Sequence, residues 1–298
     1  MRYYTVFITL FFSCFGLKGQ NYVDVAKFSY TSVPSSGFEG VTSGENSIAQ
    51  TTLLTSVPIK ISDSLALLTG IDYENHYLKL QPFQDTVSMN IVTLKLGVNI
   101  KHNKKLSGTY MLLPKIASDF GGFSNAFQIG GLALLKYQLN DQTKLVFGEY
   151  INKELFGILN VPILGVYHKS KNEKLEVDIK FPIVGFSDYK VQKNLRLGAD
   201  FLMIVRTFDL TKNGLDPFYV HMASNEVAGY FQLDLLKESL IIKGKAVYAM
   251  FDYGKYGDND QTPFGMLGWY PGDERSRINP LFNSALGFKI QAIYRFQL

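Results

Sequence analysis

Cysteine is all but missing: Cys14 is the only one in 298 residues, and it lies in a stretch expected to be removed on export. Without a thiol in the mature chain, disulfides, thiolate metal sites and cysteine nucleophiles are excluded together. Charge is sparse as well. Asp, Glu, Lys and Arg make up 19% of the chain, and the net charge of +4 comes from 30 basic and 26 acidic residues scattered along it. No basic stripe is present, which excludes a nucleic-acid partner. Long apolar runs are lacking too: beyond residue 20 each is broken within a few residues by Lys, Asp, Asn, Gln or Gly. A spanning helix needs about 18 or more apolar residues, so helical membrane crossing is excluded.

What is present begins with Arg2 and the short apolar run Val6 to Phe15, followed by Gly16, Leu17, Lys18, Gly19 and Gln20. This is the layout of a secretory signal peptide over residues 1–20, with cleavage between residues 16 and 20 and a single domain over 21–298. Acylation of Cys14 is disfavoured, because Phe11 and Phe12 stand where a lipoprotein signal needs small residues.

Beyond the leader the dominant signal is period-two alternation, which in a strand sends successive side chains to opposite faces. In Val92 to Lys101, Val92, Leu94, Leu96, Val98 and Ile100 alternate with Thr93, Lys95, Gly97, Asn99 and Lys101. The same division recurs in Lys174 to Phe181, in Leu195 to Arg206 and in the last stretch, Leu286 to Leu298. Similar segments, mostly of ten or more residues, run about 22–32, 48–60, 64–75, 106–117, 127–139, 143–152, 158–168, 225–236 and 240–253. Such lengths suit tilted membrane strands of about 9 to 11 residues better than soluble ones of about 5 or 6.

Connections alternate between tight and long. Polar turns fall at Ser62-Asp63-Ser64, Asn103-Lys104-Lys105, Asn140-Asp141-Gln142, Ser170-Lys171-Asn172, Gln192-Lys193-Asn194 and Lys237-Glu238-Ser239. Longer loops are expected near 33–47, 76–89, 118–126, 208–224 and 254–283. With both termini on the short-turn side the strand number must be even. The segments make thirteen, and Phe186 to Gln192, after a turn at Pro182 to Gly185, supplies another. The expectation is therefore all-β: a transmembrane antiparallel up-and-down β-barrel of about 14 strands, with 12 as the alternative.

With its signal peptide, alternating strands, short turns opposite long loops, and last strand carrying Tyr294, Phe296 and Leu298, the whole mature chain resembles outer-membrane β-barrel proteins of Gram-negative bacteria. In those families the last strand is read by the barrel-assembly machinery and usually ends in Phe; here Leu298 stands in its place. More narrowly, the chain resembles the uncharacterised barrel families defined by architecture, so the resemblance implies location and partners (outer-membrane lipids, the assembly machinery, a small solute) and no activity.

Nothing points to catalysis, a metal or a cofactor. The four histidines, His76, His102, His168 and His221, fall in separate turns, loops or strand ends without a second ligand at metal spacing. Ser107 and Ser170 lie in turns, unlike a serine paired with histidine on one strand face. Asp258-Asn259-Asp260 lacks the further oxygen ligands and glycine of a calcium loop, and Gly130-Gly131 sits inside a strand, not at a phosphate loop. Lys or Arg facing lipid near the midplane costs about 2 to 4 kcal/mol, so strand charges are expected to point inward. The lumen candidates are Lys95, Glu176, Asp178, Lys180, Arg196, Asp200, Arg206, Lys243, Lys245 and Arg295. In the longest loop Trp269, Tyr270 and Arg275 are candidates for ligand contact. Two functions follow: a channel or transport barrel for small solutes, or a non-conducting structural or surface-interaction barrel braced by lumenal ion pairs. An outer-membrane hydrolase has only the fold's versatility behind it.

Overall fold

A computed structural model describes residues 22–41, 46–121, 125–210 and 217–297. The expected signal peptide, with Cys14, lies outside these residues, as does Leu298. The strands are β1 (Tyr22–Val33), β2 (Ile48–Thr55), β3 (Val57–Lys60), β4 (Leu65–Lys79), β5 (Thr86–Lys101), β6 (Leu106–Ser118), β7 (Phe127–Gln138), β8 (Thr143–Glu154), β9 (Gly157–Lys169), β10 (Leu175–Phe181), β11 (Val184–Gln192), β12 (Leu195–Leu210), β13 (Phe218–Leu235), β14 (Leu240–Gly257), β15 (Phe264–Met266) and β16 (Ala285–Gln297).

Fourteen staves close into one antiparallel ring, in which each strand pairs with its neighbour in sequence, β9 pairs with β10, and β16 pairs with β1. Stave two is β2 continued by β3 after a break at Ser56, and β15 is an added piece from the longest loop. The expected strand count is therefore realised. The alternation explains the ring: Phe28, Leu53, Ile71, Leu94, Phe147, Leu197, Tyr248 and Phe288 all face outward and are exposed. A closed barrel with so continuous an apolar exterior is a transmembrane one, its outer face matched to lipid and its backbone groups paired around the ring.

The wall is uneven in height. β10 and β11 have 7 and 9 residues, whereas β13 and β14 have 18 each. The pairing of β12 with β11 stops at Leu202 opposite Val184, yet β12 runs on to Leu210 alongside β13. Above that point β12 bends inward and crosses to β6, where Asp209 lies beside Ser118 in a parallel bridge. Along the wall β7 to β11 stand between those two strands.

This crossing divides the loop end of the barrel. On one side a cluster including Val33, Ile48, Leu78, Met89, Ile91, Phe208, Met222, Phe251 and Tyr253 fills the ring. On the other side Phe156, Leu159, Val161 and Tyr219, with Val205, Tyr256 and Tyr270, fill a pouch bounded by β8, β9 and β15.

Several loop boundaries move relative to the sequence reading. β4 and β5 extend to Lys79 and from Thr86, so the loop expected at 76–89 shrinks to a tight connection. The stretch expected as a loop at 208–224 is largely strand, because Phe208, Leu210, Val220 and Met222 are buried by the crossing. His76 and His221, expected in solvated loop ends, are buried inside strands.

Candidate functional site

The lumen changes character along its axis. At the loop end it is packed with the apolar cluster around Phe208 and Tyr253. Beneath lies a layer of buried polar contacts. Glu74 accepts from Arg206 at 3.1 Å, His76 Nδ1 lies 3.2 Å from the Tyr253 hydroxyl, and Gln50 donates to that hydroxyl at 2.9 Å. Lys115 pairs with Glu154 at 2.8 Å. Both carboxylates are thus taken out of water only with a cation beside them, as burial requires.

Toward the short-turn end the inward faces are densely charged. Arg196 reaches Asp188 at 2.6 Å, Asp234 at 3.4 Å and Glu176 at 4.0 Å. Arg295 pairs with Asp24 at 2.6 Å and stacks 3.4 Å above the Tyr22 ring. Tyr22, on β1, donates to Glu176, on β10, at 2.9 Å. Because β1 and β10 are six staves apart by the shorter way round, this bond spans the lumen and narrows it. Lys180 pairs with Asp178 and Lys95 with Asp72, at 2.5 and 2.8 Å.

Lys27, Lys243, Lys245 and Lys289 come from β1, β14 and β16, consecutive around the wall. Lys245 stands directly opposite Lys289 in register. Lys245 is paired with Asp200 and Lys289 with Glu226. Lys243 instead lies over the Tyr230 ring at 4.2 Å and the Phe186 ring at 5.3 Å. Among the described residues no carboxylate pairs with Lys27 or Lys243.

All ten lumen candidates read from the sequence therefore lie on inward positions, nine of them in ion pairs and Lys243 over aromatic rings. The sequence reading passed over Lys27, Asp24, Lys115, Glu154 and Asp188. Lys27 had a signal: it continues the inward series Ser29, Thr31, Val33 against the outward Phe28 and Tyr30. Lys115 had one too, as a charge inside the expected strand 106–117, whereas Glu154 falls just past the end of the expected strand 143–152.

In the longest loop the three candidates part company. Trp269 is 62% exposed. Tyr270 packs edge-on against Phe156, and its hydroxyl lies 3.0 Å from His221 Nε2. Arg275 sits among Phe156, Tyr256 and Tyr270, 4.5 Å above the Tyr256 ring. It donates to Asp273 at 2.8 Å and to the Tyr219 hydroxyl at 3.1 Å. With a further contact to His221 Nδ1 at 3.2 Å, the guanidinium fastens the loop to the outer face of β13 and β14. Arg277 adds a two-pronged bond to Asp252 at 2.6 and 2.7 Å. Under the same loop, Gly157 has φ +141°, and a Cβ there would collide with the Thr262 carbonyl oxygen, so only glycine lets the loop pass so close to the β8–β9 turn.

No family model matches this chain, and no curated protein matches it. Solved structures do. The NanC porin is 8% identical, with 91% of this chain and 99% of that one covered and a TM-score of 0.38. The monoaromatic hydrocarbon channel TodX, as its deltaS2 mutant, is 12% identical over 93% and 91%, also at 0.38. OmpT of Vibrio cholerae is 10% identical over 94% and 99%, at 0.30. The likeness is one of barrel architecture.

Proposed function

We propose that this chain is an outer-membrane barrel of a Gram-negative bacterium that admits small solutes from the short-turn side, in a state whose loop end is shut. It belongs, on this reading, to the barrels known by architecture, meets outer-membrane lipid on its apolar face and is inserted by the barrel-assembly machinery. The observation that carries the reading is the pair of unpartnered lysines in the inner half: Lys27 and Lys243 face the lumen without a carboxylate at ion-pair distance. A wall brace needs balanced pairs, because each uncompensated buried charge costs stability. Cations so placed suit a hydrated passage where they act on a solute.

A second reading, a non-conducting barrel, draws support from the packed cluster around Phe208 and from the Tyr22–Glu176 bond across the lumen. Planar-bilayer recording of the detergent-extracted protein separates the two. The channel reading expects Phe208→Ala with Met222→Ala to raise conductance well above the parent. Shortening the loop after Gly257 alone should change it less, since the apolar cluster lies beneath that loop. Silence from the folded double variant would leave the non-conducting barrel.

A further inference from the structure

We infer that Lys27, Lys243, Lys245 and Lys289 form a binding site for a small oxyanion, a phosphate or carboxylate group, in the short-turn half of the lumen; this rests on the solute-passage reading and names its solute class. Four lysines gather there and two of them are paired, Lys245 with Asp200 and Lys289 with Glu226, which leaves Lys27 and Lys243 without a carboxylate at ion-pair distance. Of the next carboxylates, Asp24 is held by Arg295, and Asp188, which shares Arg196 with Asp234 and Glu176, acts on Lys243 only from beyond ion-pair distance. The charged neighbours of Lys27 are Lys245 and Lys289 together with Asp24 and Asp200, and Lys245 and Lys289 oppose each other across the β14–β16 pairing.

Like charges at such spacing repel, and the repulsion is strong where water is scarce. Lys243 and Lys289 are buried. An oxyanion lodged between Lys27 and Lys243 would offset that repulsion and accept charge-assisted hydrogen bonds from both. Ser29 and Gln291 supply neutral hydrogen-bonding groups beside it: Gln291 faces Ser29 on one side and Lys243 on the other, and donates to the Ser29 hydroxyl at 3.0 Å. Tyr230 and Phe186, under Lys243, fix that ammonium from below without neutralising it.

The test is isothermal titration of the folded barrel in detergent with inorganic phosphate, against chloride at equal ionic strength. The proposal expects saturable phosphate binding near one per barrel. Affinity should fall on the order of tenfold or more in Lys27→Gln with Lys243→Gln, which removes two charge-assisted contacts. Lys27→Arg with Lys243→Arg should retain binding, and the single Gln variants should fall between should the double variant fold poorly. Absence of phosphate binding by the parent, or undiminished binding by the folded Gln variants, would overturn the site. Phosphate binding without conductance would keep the site and remove the passage; conductance without phosphate binding would do the reverse.

Discussion

Glu154 Oε2 accepts hydrogen bonds from both the backbone N–H and the hydroxyl of Thr207, at 3.0 and 2.6 Å. The contact explains how a strand can leave a barrel wall. When β12 parts from β11 its edge loses a row of backbone partners, and an unpaired buried group is costly. Side chains replace the missing strand: Glu154 takes the Thr207 N–H, and Gln128 donates to the Thr207 carbonyl at 3.1 Å. The Thr207 hydroxyl in turn accepts from the Leu155 N–H at 2.9 Å. Glu154 can be buried there because Lys115 neutralises it.

Glu154→Leu should therefore destabilise the barrel by about 3 to 5 kcal/mol, since it strands the Lys115 charge as well as the β12 edge. The double variant Glu154→Leu with Lys115→Met should recover part of that loss. Thermal unfolding followed by the heat-dependent gel mobility of the detergent-solubilised protein reads both. A single variant as stable as the parent would mean that the crossing is held by apolar packing alone.

The loop fastening makes a separate prediction. Arg275→Ala removes the guanidinium that ties Asp273 and Tyr219 together and fills the space between Phe156 and Tyr256. Barrel stability should change little, because the strands are paired without it, but the loop should loosen. Trp269 is the only tryptophan, so its fluorescence anisotropy reports on this loop directly. The anisotropy should fall in Arg275→Ala; an unchanged value would show the loop to be held by Arg277 and Asp252.

Acid should loosen the same fastening. Hydrogen bonds from Arg275 hold the Asp273 carboxyl below its ordinary value of 3.8. A depressed carboxyl contributes fully above its unfolded value and loses that contribution as the pH falls through the lower folded value. Trp269 anisotropy should thus be flat from neutral pH down to about pH 4 and fall below it. In Asp273→Asn the acid step should disappear from an already lowered baseline.

These features divide by how legible they were. Strand number, turn positions and the inward set were plain in the sequence, because lipid on one face and a polar lumen on the other force strict alternation, as in Val92 to Lys101. The crossing of β12 was not. Where β12 and β13 enter the interior, both their faces are covered, and a doubly buried strand reads as an unbroken apolar run rather than an alternating one. Tyr219, Val220 and Met222 are such a run interrupted only by His221, all four buried, and the sequence reading took them for loop. The polar partners Gln128, Glu154 and Thr207 gave no sign at all, since their meaning depends on a strand that arrives from the other side of the barrel.

The break between β2 and β3 yields the last prediction. At Thr55 and Ser56 the pairing with β4 lapses without a change of register, and the backbone groups of Thr55 find other partners. The Thr55 N–H donates to Asp72 at 3.0 Å, and the Thr55 carbonyl accepts from Lys95 at 2.7 Å. Lys95 also pairs with Asp72 at 2.8 Å, so one ion pair satisfies both backbone groups of Thr55 at the break. Gly70 stands opposite Lys95 in register, and a Cβ there would strike the Thr55 carbonyl oxygen, which is why the break faces a glycine. Lys95→Met should cost about 1 to 3 kcal/mol by leaving Asp72 and the carbonyl without their cation. Lys95→Gln with Asp72→Asn keeps a donor for the carbonyl and an acceptor for the N–H, and should cost less than the single Met variant. If unfolding midpoints show the paired amides to be the worse of the two, the pair's charge rather than its hydrogen bonding holds the break.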